Sequence, residues 1–204
     1  MSTTDLRRGA RTRGRAFLLG AALAVAGVAG MTACGQDPFA IKWSTSPDTA
    51  TLYSLARPEL GLPSGFDFHE YYNYRGPVHV ERINATGRWD VALDTRGGSL
   101  VLLPPGALGI QSKARVVELP GRTFDEVVEA PADTTLYSAT EPVPVRMGSV
   151  YVVRSNQVTG SFGTRCVYYA KLEPLEIDVP EGTLLFVFDS SPVCNDRSLI
   201  GNRN

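Results

Sequence analysis

An all-β fold is predicted for most of this chain, on three observations. Beyond residue 46 the apolar residues fall into short runs rich in Val, Ile, Leu, Tyr and Phe, bounded by Gly, Pro, Asn or Asp. That is the composition of strands and turns. No long segment of the same region repeats apolar residues at the spacing of a helix face. Third, "TLYS" occurs at Thr51–Ser54 and again at Thr135–Ser138; from 51 to 135 the offset is 84. At that offset Pro47 meets Pro131, Pro58 meets Pro142, Gly76 meets Gly160, Asp94 meets Asp178, Gly98 meets Gly182 and Leu100 meets Leu184. The repeat predicts two tandem related β-rich units, residues 47–130 and 131–204, as two small β-sandwiches or one larger sandwich.

Residues 1–33 read as an export leader. Arg7, Arg8, Arg11, Arg13 and Arg15 form a basic start, and Ala16–Ala33 then runs without a charge. A basic region, an apolar region and small residues before a cut make a secretory signal. A spanning helix needs about 20 strongly apolar residues, whereas this stretch is diluted by Gly20, Gly27 and Gly30. It ends in "MTAC", Met31–Cys34, an aliphatic residue and two small ones before a cysteine. In that position the tetrapeptide resembles the lipobox of bacterial lipoproteins, a resemblance confined to residues 1–34. It implies that the Cys34 thiol receives a diacylglyceryl group and that a peptidase cuts just before it. The mature protein is then held in the cell envelope by lipid on Cys34, with the membrane as its partner. Gly35, where aspartate would favour retention in the inner membrane, favours the outer one. Residues 34–46, "CGQDPFAIKWSTS", carry Pro and polar residues and read as the lipidated cysteine and its tether.

The strands follow in order. The first unit offers "TLYS", then "SGFDFHEYY", "VHVERIN" and "WDVALD", and a Gly-containing turn into "SLVLLPP". The second offers "TLYS", "GSVYVVRSN", "RCVYYAKL" and "PLEID", and a turn into "TLLFVFDSS". Asp94 and Asp178 start the matching turns, with Gly98 and Gly182 supplying the permissive backbone. The first unit continues through an insertion, residues 111–130, expected as a strand pair or as a strand with one helical turn. The second ends in "SSPVCNDRSLIGNRN".

Removing residues 1–33 from 204 leaves 171, enough for a proper core. The whole chain has a formal net charge of −1, and the leader holds five arginines and one aspartate, so the remainder is near −5. No basic patch follows the leader, which argues against nucleic acid. Once Cys34 is assigned to lipid, Cys166 and Cys194 remain, and an even pair in an exported protein forms a disulfide.

The chemistry-bearing residues are sparse. His69 and His79 are the only histidines. His69 and Glu70, being sequential, point to opposite faces of a strand, so a metal site with Glu70 or Glu81 is not expected, nor is any cofactor. No G-x-S-x-G, phosphate loop, dinucleotide fingerprint or calcium loop occurs. Asp125, Glu126 and Glu129 in "FDEVVEA" read as a solvated face. The segment with the best claim to a ligand is "FDFHEYYNYRG", residues 66–76. Alternation buries Phe66 and Phe68 and leaves Tyr71, Tyr74 and Arg75 as candidate contacts for a carbohydrate ring or an envelope protein. The resulting expectation is a lipid-anchored extracytoplasmic protein with a binding or scaffolding role, not an enzyme. The alternative is an extracytoplasmic hydrolase with scattered catalytic residues, which a pocket joining a histidine to a carboxylate and a hydroxyl would favour.

Overall fold

The computed structural model describes residues 43–59, 61–69, 76–80 and 88–201. Among the described residues the fold is all-β. One antiparallel sheet has the order β1 (Asp48–Tyr53), β12 (Thr183–Ser190), β11 (Tyr169–Asp178), β8 (Ser149–Arg154), β6 (Arg115–Pro120). The other has the order β3 (Gly76–Val78), β2 (Gly65–Asp67), β4 (Val91–Arg96), β5 (Ser99–Leu103), β7 (Val143–Pro144). Strands β9 (Val158–Thr159) and β10 (Arg165–Cys166) form a separate short hairpin.

Alternation along each strand decides which layer a side chain joins. Leu184, Phe186 and Phe188 of β12 enter one core together with Leu100 and Leu102 of β5 and Phe66 of β2. The Phe66 ring meets Phe188 at 4.7 Å and Phe186 at 5.4 Å, both edge-on, the arrangement aromatic quadrupoles favour. Since Phe66 belongs to one sheet and the other two rings to its neighbour, the sheets pack as a sandwich. Strand β8, "SVYVVR", is apolar from Val150 to Val153 because both its faces are covered. Tyr151 and Val153 join the shared core, while Val150 and Val152 face a second layer with Val127, Tyr137, Val167 and Leu199.

The unit boundary expected at 130/131 does not separate two structures. Strand β1 pairs β12, β6 pairs β8 and β7 pairs β5, so each sheet takes strands from both sides of it. The described residues all belong to one compact unit. The "TLYS" match has no structural counterpart. Thr51, Leu52 and Tyr53 are strand residues with Tyr53 opposite Thr183, whereas Thr134–Leu136 form a 3-10 turn. Tyr137 is buried, donating its hydroxyl to Pro131 O at 3.1 Å. Tyr53 and Tyr137 therefore do not occupy equivalent places.

Part of the repeat does have a structural counterpart. The order β2–β4–β5 in one sheet matches β8–β11–β12 in the other, and Leu100 and Leu184 both face the shared core. The turns differ in detail. Gly97 and Gly98, at φ 58° and 77°, close β4–β5 as a two-residue loop between Arg96 and Ser99. The β11–β12 turn is longer, with Asp178 Oδ1 accepting from Glu181 N–H at 2.8 Å.

One further detail departs from the sequence reading, and the insertion takes one of its two expected forms. "RCVYYAKL" and "PLEID" are not separate strands: β11 runs through Pro174 by shifting register between Pro174 and Glu176. A bulge is where a strand tolerates a residue without an N–H, and Leu175 is left exposed there. The insertion resolves as the strand β6 followed by one 3-10 turn, Phe124–Glu126, with Glu126 Oε2 accepting from Thr123 N–H at 2.9 Å. The Cys166–Cys194 disulfide is formed, spanning 28 positions with Cα atoms 5.0 Å apart. It ties β10 to the C-terminal tail.

Candidate functional site

The described chain enters at Trp43 and runs to Asp48, the first residue of β1. Pairing places Asp48 opposite Phe188, Ala170 opposite Ser190 and Tyr169 opposite Arg154. One end of the first sheet therefore gathers the start of β1, the end of β12, the start of β11 and the end of β8. Two clefts lie at this entry end, on either side of the segment 44–47. One, of about 330 Å³, is lined by Trp43, Ser44, Ser46, Phe68, His69, Asp189, Ser190, Ser191 and Pro192. The other, of about 410 Å³, is lined by Ser44, Thr45, Pro47, Phe124, Asp125, Lys171, Ile200 and Gly201.

The tether segment is held in place from two sides. Ser46 N–H donates to Asp189 Oδ2 at 3.1 Å, and Asp189 Oδ1 accepts from Ser190 N–H at 2.8 Å. On the other side Gly201 lies against Trp43 O, the Ser44 Cα and the Thr45 nitrogen, so closely that no β-carbon fits. A glycine is the residue that allows two backbones this near each other. The C-terminal tail thus forms a seat for residues 43–45.

His69 projects from the loop after β2, and its ring stacks on Tyr168 with centroids 3.5 Å apart and planes 8° from parallel. Asp90 organises the same loop. It is buried, with Oδ2 accepting from Phe68 N–H at 3.0 Å and Oδ1 from Asn156 N–H at 2.8 Å. Burial pushes its pKa up to about 6, against the lowering effect of those two bonds. Asp90 thereby links the His69 loop to the chain leaving β8.

Lys171 is the charged residue inside the apolar run of β11. Its Nζ donates to Phe124 O at 2.7 Å and Val127 O at 2.9 Å and lies 4.2 Å from the Phe124 ring centroid. Burial lowers its pKa, while Asp125, Asp189 and Glu173 act in the opposite direction. Glu173 Oε2 accepts from Phe124 N–H at 2.7 Å. Lysine and glutamate, two residues apart on one strand face, together pin the 3-10 turn that walls the larger cleft.

The residues singled out from the sequence are distributed as follows. Cys34, Tyr71, Tyr74 and Arg75 lie outside the described residues. Phe66 and Phe68 are buried in the shared core, as alternation requires. His69 and His79 are not brought together: Gly65 pairs Val78 and Asp67 pairs Gly76, so they leave opposite ends of the β2–β3 ladder. Glu126 caps its own turn, and Glu129 pairs with Arg197 at 2.6 Å. No group of three or more His, Cys, Asp or Glu suited to a metal occurs among the described residues.

Trp43, Lys171, Asp189, Ser190 and Ser191 were not singled out from the sequence. Their signals were a lysine inside "YYAKL" and a polar run, "DSS", closing the last apolar strand. No protein-family model matches this chain, and neither a curated protein nor a solved structure shows significant similarity to it.

Proposed function

We propose that this chain is a lipid-anchored cell-envelope protein, acylated on Cys34, that binds a hydroxyl-rich ligand of the carbohydrate class in the cleft beside its tether. The observation that carries the binding role is the lining of the 330 Å³ cleft, which sets Trp43 and His69 beside Asp189, Ser190 and Ser191 over a floor made by the buried Phe68. Aromatic faces suit the C–H faces of a sugar ring, and carboxylate, imidazole and hydroxyl groups suit its hydroxyls. The extracytoplasmic address is supported by the Cys166–Cys194 bond, since disulfides persist in oxidising compartments.

The same cleft favours a second reading, hydrolysis of its ligand, because it collects an imidazole, a carboxylate and hydroxyls. One variant separates the two. His69→Phe keeps an aromatic ring on Tyr168 and removes the ring nitrogens. A binder screened by calorimetry against soluble envelope glycan fragments should lose about tenfold in affinity, on the order of 1.4 kcal/mol. A hydrolase should instead lose turnover with binding largely retained. A variant that binds every fragment as the wild type does removes His69 from the site. In parallel, Cys34→Ser should release the protein from membranes or leave an uncut precursor. Unchanged fractionation with unchanged lipid incorporation would refute the anchor.

A further inference from the structure

Phe162 stands at the tip of the β9–β10 hairpin with its ring fully exposed, more so than any other large apolar side chain among the described residues. Its backbone lies in the left-handed region, at φ 57° and ψ 25°, which bulky residues avoid because the β-carbon crowds the following carbonyl. The tip is well braced. Gly160 N–H donates to Thr164 O at 2.7 Å, and Thr164 N–H to Ser161 O at 3.2 Å. At the base, the Asn195 side chain accepts from Val167 N–H at 3.0 Å and donates to Arg165 O at 3.0 Å, next to the disulfide. A rigid turn therefore presents a phenyl ring to solvent, with the exposed Arg165 three positions on.

Direction gives this feature its meaning. The hairpin connects the end of β8 to the start of β11, so it leaves the sandwich at the entry end, where Trp43 comes in. Eight residues separate Cys34 from Trp43, and an extended chain covers at most about 3.6 Å per residue. With Cys34 acylated, the entry end stays within roughly 30 Å of the bilayer surface. Acylation at one point does not by itself fix which side of the domain meets the lipid. A phenyl ring beside an arginine suits a membrane interface, the ring buried at the boundary of headgroups and acyl chains and the cation on lipid phosphates.

We propose that the Phe162 hairpin is a second, non-covalent membrane contact that turns the entry end, with both clefts, toward the lipid surface. Its orientation rests on acylation of Cys34, and the test separates the two. Phe162→Trp and Met147→Trp are made in the full-length protein and reconstituted into phosphatidylethanolamine–phosphatidylglycerol vesicles with a nitroxide in the headgroup layer. Met147 is exposed in the turn before β8, at the opposite end of the sheet, and the wild type supplies the background from Trp43 and Trp89. The indole at position 162 should be quenched at least twofold more than that at 147. Equal quenching at the two positions, or none at 162, overturns the contact. The mass of the N-terminal peptide reports acylation separately. Acylated protein with an unquenched position 162 refutes the hairpin contact alone, and unacylated protein quenched at 162 refutes the anchor alone.

Discussion

Asp90 shows how one buried carboxyl ties stability to pH beside the cleft. An aspartate in the unfolded chain titrates near 3.9, whereas burial holds Asp90 near 6. Between those values the native state binds more proton than the unfolded state. Its contribution is therefore fully present below about pH 4 and is lost as pH rises through 6. The gap between the two pKa values bounds that contribution at about 3 kcal/mol. Asp90→Asn removes the titration, together with one acceptor for the Phe68 and Asn156 amides. In urea denaturation, wild-type stability relative to the variant should fall by roughly 2 kcal/mol between pH 4.5 and pH 7. A pH-independent difference would show that Asp90 titrates as an ordinary aspartate.

At the scale of elements, the C-terminal tail does more than end the chain. Leu199 fills the layer outside β8, its N–H donates to Val128 O at 2.9 Å, and Gly201 seats residues 43–45. The disulfide closes a 28-position separation upstream of these contacts, a loop worth about 3 kcal/mol on the chain-entropy estimate. Cys166→Ser with Cys194→Ser should cost about 2–4 kcal/mol in denaturant unfolding and raise the rate at which protease cuts between residues 195 and 201. Unchanged stability and cleavage would mean that tail packing alone suffices.

Strand identity was legible here because composition and turn residues act locally: β4, β5, β8 and β12 all appear where apolar runs end at Gly, Pro or Asp. The bulge in β11 was not, since proline marks a break in sequence and only pairing with both neighbours shows the strand continuing. The cleft was hidden for a related reason. Trp43, Asp189 and Lys171 are far apart in the chain, and each looks ordinary until the tether is laid across the end of the sheet. The disulfide was legible because the expectation of export, with Cys34 assigned to lipid, left two cysteines and one way to pair them.

For the whole molecule, the decisive feature is exchange of strands across residue 130. The offset of 84 finds the true correspondence between β2–β4–β5 and β8–β11–β12. It misses that each set is completed by a strand from the other side, β1 on β12 and β7 on β5. The shared core draws Phe66, Leu93, Leu100 and Leu102 from one side and Tyr151, Leu172, Phe186 and Phe188 from the other. Neither half can bury these alone, and burying one such side chain contributes about 1.5–3 kcal/mol, comparable to a large part of a domain's net stability. Residues 34–130 and 131–204, each produced separately, should therefore lack a cooperative unfolding transition and bind a hydrophobic dye. Mixed together, they should recover the transition, because every missing ladder lies in the partner fragment. Cooperative unfolding of either fragment alone would show that the halves are autonomous, and that the strand exchange is not what holds the sandwich together.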